Sequence, residues 1–166
     1  ENCATYCRFC FRKRIFQWQN SEIRPDTEPG LEYIRQHPEV NNVLLTGGDP
    51  LLLSTRRLEA IIEALRQIDH VEIIRLGSKM LAFNPFRILE DPALPEMLAR
   101  HSRPDRRIYL MAHFNHPREL TPEALAAADR LMKAGVIVVN QTPLLRGIND
   151  DPAVLAAYTD EPQYLG

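Results

Sequence analysis

Asn41-Asn42-Val43-Leu44-Leu45-Thr46-Gly47-Gly48-Asp49-Pro50 decides the fold, because it reads as an apolar strand that stops abruptly in turn-forming residues. Asn42 to Thr46 is the strand. Downstream, Ser54 is placed to cap a helix on which Leu58, Ile61, Ile62, Leu65 and Ile68 recur at helical spacing. Strand, polar turn and helix make one βα unit, and the pattern repeats outward. Val71 to Leu76 predicts a second strand, Asp91-Pro92 the start of a short helix, and Arg107 to His113 a third strand. Thr121-Pro122 opens a helix with Leu125, Ala128, Leu131 and Met132 on its inner face and Gly135 at its end. Val136 to Val139 follows as a fourth strand, and Asp151-Pro152 starts a last short helix.

This alternation predicts an α/β fold with a parallel sheet. A closed barrel of eight strands typically takes about 250 residues. Four strands in 166 residues therefore predict a partial (βα) TIM-like barrel, incomplete in this chain, with residues 1–166 as a single domain. An earlier strand is expected upstream of Glu1, which is not an initiator methionine. In such folds chemistry gathers at the C-terminal strand ends. Those ends read Thr46-Gly47-Gly48-Asp49-Pro50, Gly77-Ser78-Lys79, His113-Phe114-Asn115-His116-Pro117 and Asn140-Gln141-Thr142-Pro143.

A composition of 45% hydrophobic and 25% charged residues is that of an ordinary globular domain. The formal net charge of −2 gives no broad basic field for nucleic acid. No apolar run approaches the roughly 20 residues needed to span a membrane. With no basic-then-apolar leader at the start, a cytoplasmic protein acting on a small molecule is expected.

All three cysteines fall within Cys3-Ala4-Thr5-Tyr6-Cys7-Arg8-Phe9-Cys10. That spacing lets the thiolates converge from a loop or a single helical turn on one soft metal centre. Three unrelated buried thiols are one alternative, although such crowding is unusual in a reduced protein. A structural zinc site is another, but it wants four closed ligands, and His37 lacks a finger-like spacing. An iron–sulfur cluster with one iron unligated by protein remains, and its open position suits a substrate or cofactor.

Cys3-x-x-x-Cys7-x-x-Cys10 resembles the signature of radical S-adenosylmethionine (SAM) enzymes. The strings CRFCFRKR, NNVLLTGGDPLLL, VEIIRLGSK, AHFNHPRELT and AGVIVVNQTPLLRGIND, in this order, resemble the lysine 2,3-aminomutase family over essentially the whole chain. The resemblance implies a radical SAM core with a [4Fe-4S] cluster on Cys3, Cys7 and Cys10, its fourth iron chelated by SAM. Reductive cleavage of SAM would give a 5′-deoxyadenosyl radical that abstracts hydrogen from the substrate. In the aminomutases pyridoxal phosphate (PLP) then carries an amino group from the α to the β carbon of an amino acid. The lysine that binds PLP lies, in the family, beyond the segment matched here, so PLP is expected in the full-length protein. The partners implied are a small amino-acid substrate and an electron donor such as a flavodoxin or ferredoxin. No nucleic acid or membrane is expected, and a homo-oligomer is left open.

Position at the strand ends, and for some residues the same resemblance, suggests individual roles. Gly47 and Gly48 would let backbone approach the SAM methionyl group, with a carbonyl or the Asp49 carboxylate accepting from its ammonium. A plain turn is the alternative. Ser78 resembles a SAM-contacting position and could equally cap a helix. His113 is placed to hydrogen-bond the ribose or carboxylate of SAM, or to serve the structure. His116, before Pro117, reads as turn. Gln141, next to Asn140, resembles a position on the PLP side. Arg12 resembles the arginine that pairs with the substrate carboxylate, while Lys13 and Arg14 balance an anionic cluster. Among Lys13, Lys79 and Lys133, only Lys79 follows a strand on the catalytic side, and it is not expected to bind PLP covalently. The stretch Lys79 to Arg106 departs from the shorter connection of the lysine enzymes, which leaves the amino acid open. Two other readings are a relative that abstracts hydrogen without PLP and a non-catalytic iron–sulfur module for electron transfer. The second requires a fourth protein ligand, and there is no fourth cysteine.

Overall fold

The structure is a computed structural model that describes residues 3–13 and 26–157. Arg14 lies outside the described residues. Four strands, β1 (Asn42–Leu45), β2 (Ile73–Ser78), β3 (Ile108–Ala112) and β4 (Ile137–Asn140), form one parallel sheet in the order β1-β2-β3-β4. Leu44 registers with Arg75, Leu76 with Leu110, and Leu110 with Val138. The sheet is open, with β1 and β4 at its edges among the described residues. It is a partial barrel, as the sequence pattern predicts. β2 runs two residues further than that pattern predicts, so Gly77 and Ser78 lie inside the ladder.

Alternation along β2 shows which face is covered. Ile74, Leu76 and Ser78 are buried, whereas Ile73, Arg75 and Gly77 are half-buried. The α-helices among the described residues are α1 (Glu28–Gln36), α2 (Thr55–Arg66), α3 (Met80–Phe83), α4 (Phe86–Leu89), α5 (Ala93–His101), α6 (Pro122–Lys133) and α7 (Pro152–Ala156). Leu58, Ile62 and Leu65 of α2, Leu94, Met97 and Leu98 of α5, and Leu131 of α6 join Ile74, Leu76, Ile108 and Leu110 in one core.

Caps fix where the principal helices begin. Ser54 Oγ accepts from the Arg57 N–H and Thr121 Oγ1 from the Ala124 N–H. The buried face of α6 is Ala124, Ala127, Ala128 and Leu131, so Leu125 sits at its half-buried margin. Alanines let this helix approach its neighbours closely, and a reading weighted by leucines misjudges the face by about one residue. Gly135, at φ +79°, ends the helix where a side chain would be strained.

The stretch from Lys79 to Arg106 folds into α3, α4 and α5. Arg87 fastens it to the start of α2, donating to the Leu51 and Leu53 carbonyls, to Thr55 Oγ1 and to Asp91 Oδ2. At the N-terminal end of the sheet, Arg66 donates to the carbonyls of His101, Val71, Glu72, Arg106 and Arg107. Arg106 donates in turn to the carbonyls of Arg66, Ile68 and Val71. Burial, helped by the Arg106 charge, brings the Arg66 guanidinium down to about 10. No helix among the described residues is long and apolar enough to cross a membrane.

Candidate functional site

The opposite end of the sheet carries polar residues from every strand. After β1 the chain turns at Gly47, whose φ of 117° is open to glycine and strained for other residues. The turn delivers Asp49 beside the end of β2. Its Oδ1 accepts from the Leu51 N–H at 3.0 Å and the Ser78 hydroxyl at 2.7 Å, and its Oδ2 from the Lys79 N–H at 2.9 Å. Burial pushes the Asp49 carboxyl up, and these three bonds oppose that. Ser78, itself buried, also accepts at 3.0 Å from the N–H of Met80, the first residue of α3.

Lys79 crosses from β2 to the loop after β3. Its ammonium donates to both Glu119 oxygens, at 3.0 and 2.9 Å, and to the His113 carbonyl at 2.9 Å. It also lies 4.8 Å from the centre of the Phe83 ring. Glu119 accepts from the Asn115 N–H at 2.7 Å. Fully buried Asn149 donates to the Asn115 and Pro143 carbonyls and accepts from the Leu145 N–H. Asn140 Oδ1 accepts from the Phe114 N–H, and Thr142 Oγ1 donates to the Phe114 carbonyl. Hydrogen bonds thus join the loops after all four strands.

The cysteine segment lies on this network. The Cys10 N–H donates to the Cys7 carbonyl at 3.1 Å, folding the segment into a turn, and all three thiols are half-buried. Phe9 meets the His113 ring edge-on, with centroids 5.6 Å apart. Burial first, then the Asp49 charge and the other two thiols, push the Cys3 thiol up to about 11, while the Asp49 backbone N–H acts in the opposite direction. Cys7 is pushed up by burial and by Cys10, against the Lys79 charge. The three sulfur atoms are therefore within electrostatic reach of one another, and Cys3 is within reach of the Asp49 loop. His113 is held below its ordinary value, by burial and then by Lys79. Among the described residues its buried Nε2 and the buried Asn115 Oδ1 close no hydrogen bond, although the Asn115 side chain lies near enough to act on the ring against the effect of burial.

The sequence-predicted residues are thus distributed as follows. Cys3, Cys7, Cys10, Asp49, Ser78 and His113 gather in one place, with Gly47 and Gly48 forming the turn above Asp49. Arg12 is half-buried and stacks its guanidinium 5.5 Å from the Phe11 ring, beside the cysteine turn. Gln141 is exposed, and its N–H prolongs the ladder by donating to the Ala112 carbonyl at 2.7 Å. His116 is turn structure, its Nδ1 accepting from the Arg118 N–H. Sequence reasoning passed over Glu119, Asn115 and Asn149, which lie in loop strings with no periodicity to mark them. Away from this end, Glu59, Glu63 and His101 bring two carboxylates and an imidazole within 4.8 Å, but Arg100 already occupies Glu59 at 2.5 Å.

Residues 1–157 match the description of the radical SAM superfamily. The chain belongs to that superfamily. It is 55% identical over 165 residues to a putative L-lysine 2,3-aminomutase of Aquifex aeolicus, covering 99% of this chain and 44% of the relative. It is 45% identical over 150 residues to the L-lysine 2,3-aminomutase of Clostridium subterminale, covering 89% and 34%. To the glutamate 2,3-aminomutase of Clostridioides difficile it is 39% identical over 160 residues, covering 96% and 36%. The chain spans less than half the length of each of these relatives. As a radical SAM chain it presents a donor set that fits an iron–sulfur cluster, three half-buried thiols that act electrostatically on one another, with a backbone N–H bonded to one of them.

Proposed function

We propose that this chain is the core of a radical SAM enzyme that moves an amino group between the 2 and 3 carbons of an amino acid. The observation that carries the proposal is the seating of the three-cysteine turn on the C-terminal strand ends, against the Gly47-Gly48-Asp49 loop and His113. Cys3, Cys7 and Cys10 would hold a [4Fe-4S] cluster. With SAM bound to it, such a cluster supplies a strong hydrogen-abstracting radical on reduction.

The chain's own residues provide position and exclusion of water. Gly47 and Gly48 bring bare backbone to the cluster side, where carbonyls can accept from the SAM ammonium. Asp49 and Ser78 hold that loop rather than the ligand, since their polar atoms are engaged with Leu51, Lys79 and Met80. His113 offers its Nε2, which closes no hydrogen bond among the described residues, to a ribose or carboxylate. Arg12, next to the cysteine turn, can take a substrate carboxylate in a bidentate pair.

PLP does not fit the lysines present. The chain has three, Lys13, Lys79 and Lys133. Lys79 is bound up with Glu119 and the His113 carbonyl, and Lys133 pairs with Asp129 on the exposed side of α6. Lysine and glutamate are the substrates in the names of the relatives, and an amino acid of that kind is proposed here.

Anaerobic reconstitution with iron and sulfide, followed by dithionite and SAM, tests the reading. The protein is expected to develop an iron–sulfur chromophore and release 5′-deoxyadenosine, and Ala at Cys3, Cys7 or Cys10 to remove both. A cluster stable to SAM with no cleavage product would favour the electron-transfer alternative. Tight zinc with no effect of the substitutions would overturn the cluster itself.

A further inference from the structure

Lys79 is the only buried cation among the residues that join the strand ends, with 7% of its surface exposed. Its partner Glu119 is not buried to the same degree: the side-chain exposures are 8% and 25%. The pair therefore has an inner, positive end and an outer, negative end. The inner end is bonded to the carbonyl of His113, and the His113 ring meets Phe9, which lies between Cys7 and Cys10. At Cys7 the Lys79 charge outweighs that of Glu119. Lys79 also fixes the Gly47-Gly48-Asp49 loop through its own N–H to Asp49.

We infer that Lys79 is a positioning residue that holds His113 and the Asp49 loop in register, and that the Lys79–Glu119 pair points the positive end of a fixed dipole at the cluster pocket. This rests on the proposed cluster site. Charge in that pocket is negative when it is filled, because three thiolates and the sulfides outweigh the iron charge, and reduction adds one more electron. A buried positive end stabilises the reduced state relative to the oxidised one, and burial limits screening by salt. The pair contributes no net charge, so its effect comes from its orientation. Removing either member exposes the other, and the two removals must act with opposite sign.

The test is the reduction potential of the reconstituted protein, followed by electron paramagnetic resonance during a redox titration at equal iron content. Lys79→Met is expected to shift the potential to more negative values and Glu119→Gln to more positive ones. Lys79→Arg, which keeps the charge, is expected to stay near the wild type. Equal potentials in all four proteins would overturn the inference, and so would shifts of the same sign in Lys79→Met and Glu119→Gln, which a merely structural role produces. If Lys79→Met fails to fold, the Glu119→Gln and Lys79→Arg pair decides the matter by the same criteria. A wild type that takes up no cluster sinks the proposed function and this inference with it, whereas a cluster with unmoved potentials sinks the inference alone.

Discussion

Asp49 and Ser78 share a hydrogen bond of 2.7 Å that joins the loop after β1 to the last residue of β2. Together with the bonds from the Leu51 and Lys79 N–H groups, it makes the carboxylate a structural bracket on the floor of the site. Asp49→Ala should therefore cost about 3 kcal/mol or more, given roughly 1.5–3 kcal/mol for a hydrogen bond to a charged group. Asp49→Asn should cost less, because one oxygen still accepts while the amide nitrogen faces a donor. Urea unfolding measures both, and an unchanged midpoint in Asp49→Ala would mean the bracket bears no strain.

Asn149 holds the loop after β4 to the loop after β3 from a position with no exposure to solvent. Replacing it by Ala strands two carbonyls and one N–H, with a penalty of about 1–3 kcal/mol for each group left unsatisfied. The expected result is a destabilisation of about 3 kcal/mol or more, with faster amide exchange in residues 143–150. Loss confined to global stability, with exchange in that loop unaltered, would contradict it.

Schiff-base chemistry needs a lysine amine free to attack the PLP aldehyde. The Lys79 side chain is not free, being bonded to Glu119 and to the His113 carbonyl. Borohydride reduction in the presence of PLP, followed by peptide mapping, should give weak, scattered labelling. Near-stoichiometric label at Lys79 would reverse this and bring the PLP site into this stretch of chain.

Burial holds the His101 imidazole below its ordinary 6.5, more than the nearby Glu59 and Glu63 raise it. The folded state thus favours the neutral ring. Its contribution to stability is complete above pH 6.5, and it is lost as the pH falls from there through the lowered folded value. Unfolding curves at pH 7.5 and 5.5 should show the loss, and His101→Gln should reduce the difference between them. A histidine resonance titrating above 6.5 would show the sign to be wrong.

Much of this architecture was readable because burial and turn chemistry agreed along the chain. Asn42 to Asp49 states a strand, a sharp turn and a polar delivery point within eight residues, and the structure follows it closely. Helix α1 was missed although its signals were present: Pro29 opens it, and its amphipathic pattern, with Leu31 on the buried side, is as marked as that of α2. The short helices α3 and α4 gave no signal, since four residues cannot show one. In the site, the residue types at Asp49 and His113 announced polar work, but spacing could not say what they would touch. Asp49 meets Ser78 across 29 positions and Lys79 meets Glu119 across 40, and such pairings follow only from the winding of the sheet.

The Arg66 and Arg106 guanidiniums at the other end of the sheet spend themselves on carbonyl oxygens rather than on carboxylates. Mobile ions screen an exposed ion pair such as Arg35 with Glu28, but they act less on hydrogen bonds from half-buried guanidiniums to fixed carbonyl dipoles. The end of the barrel away from the chemistry is therefore built to keep its shape in brine as in dilute buffer. Ionic strength is left to act on the surface pairs and on whatever charged molecules reach the strand ends.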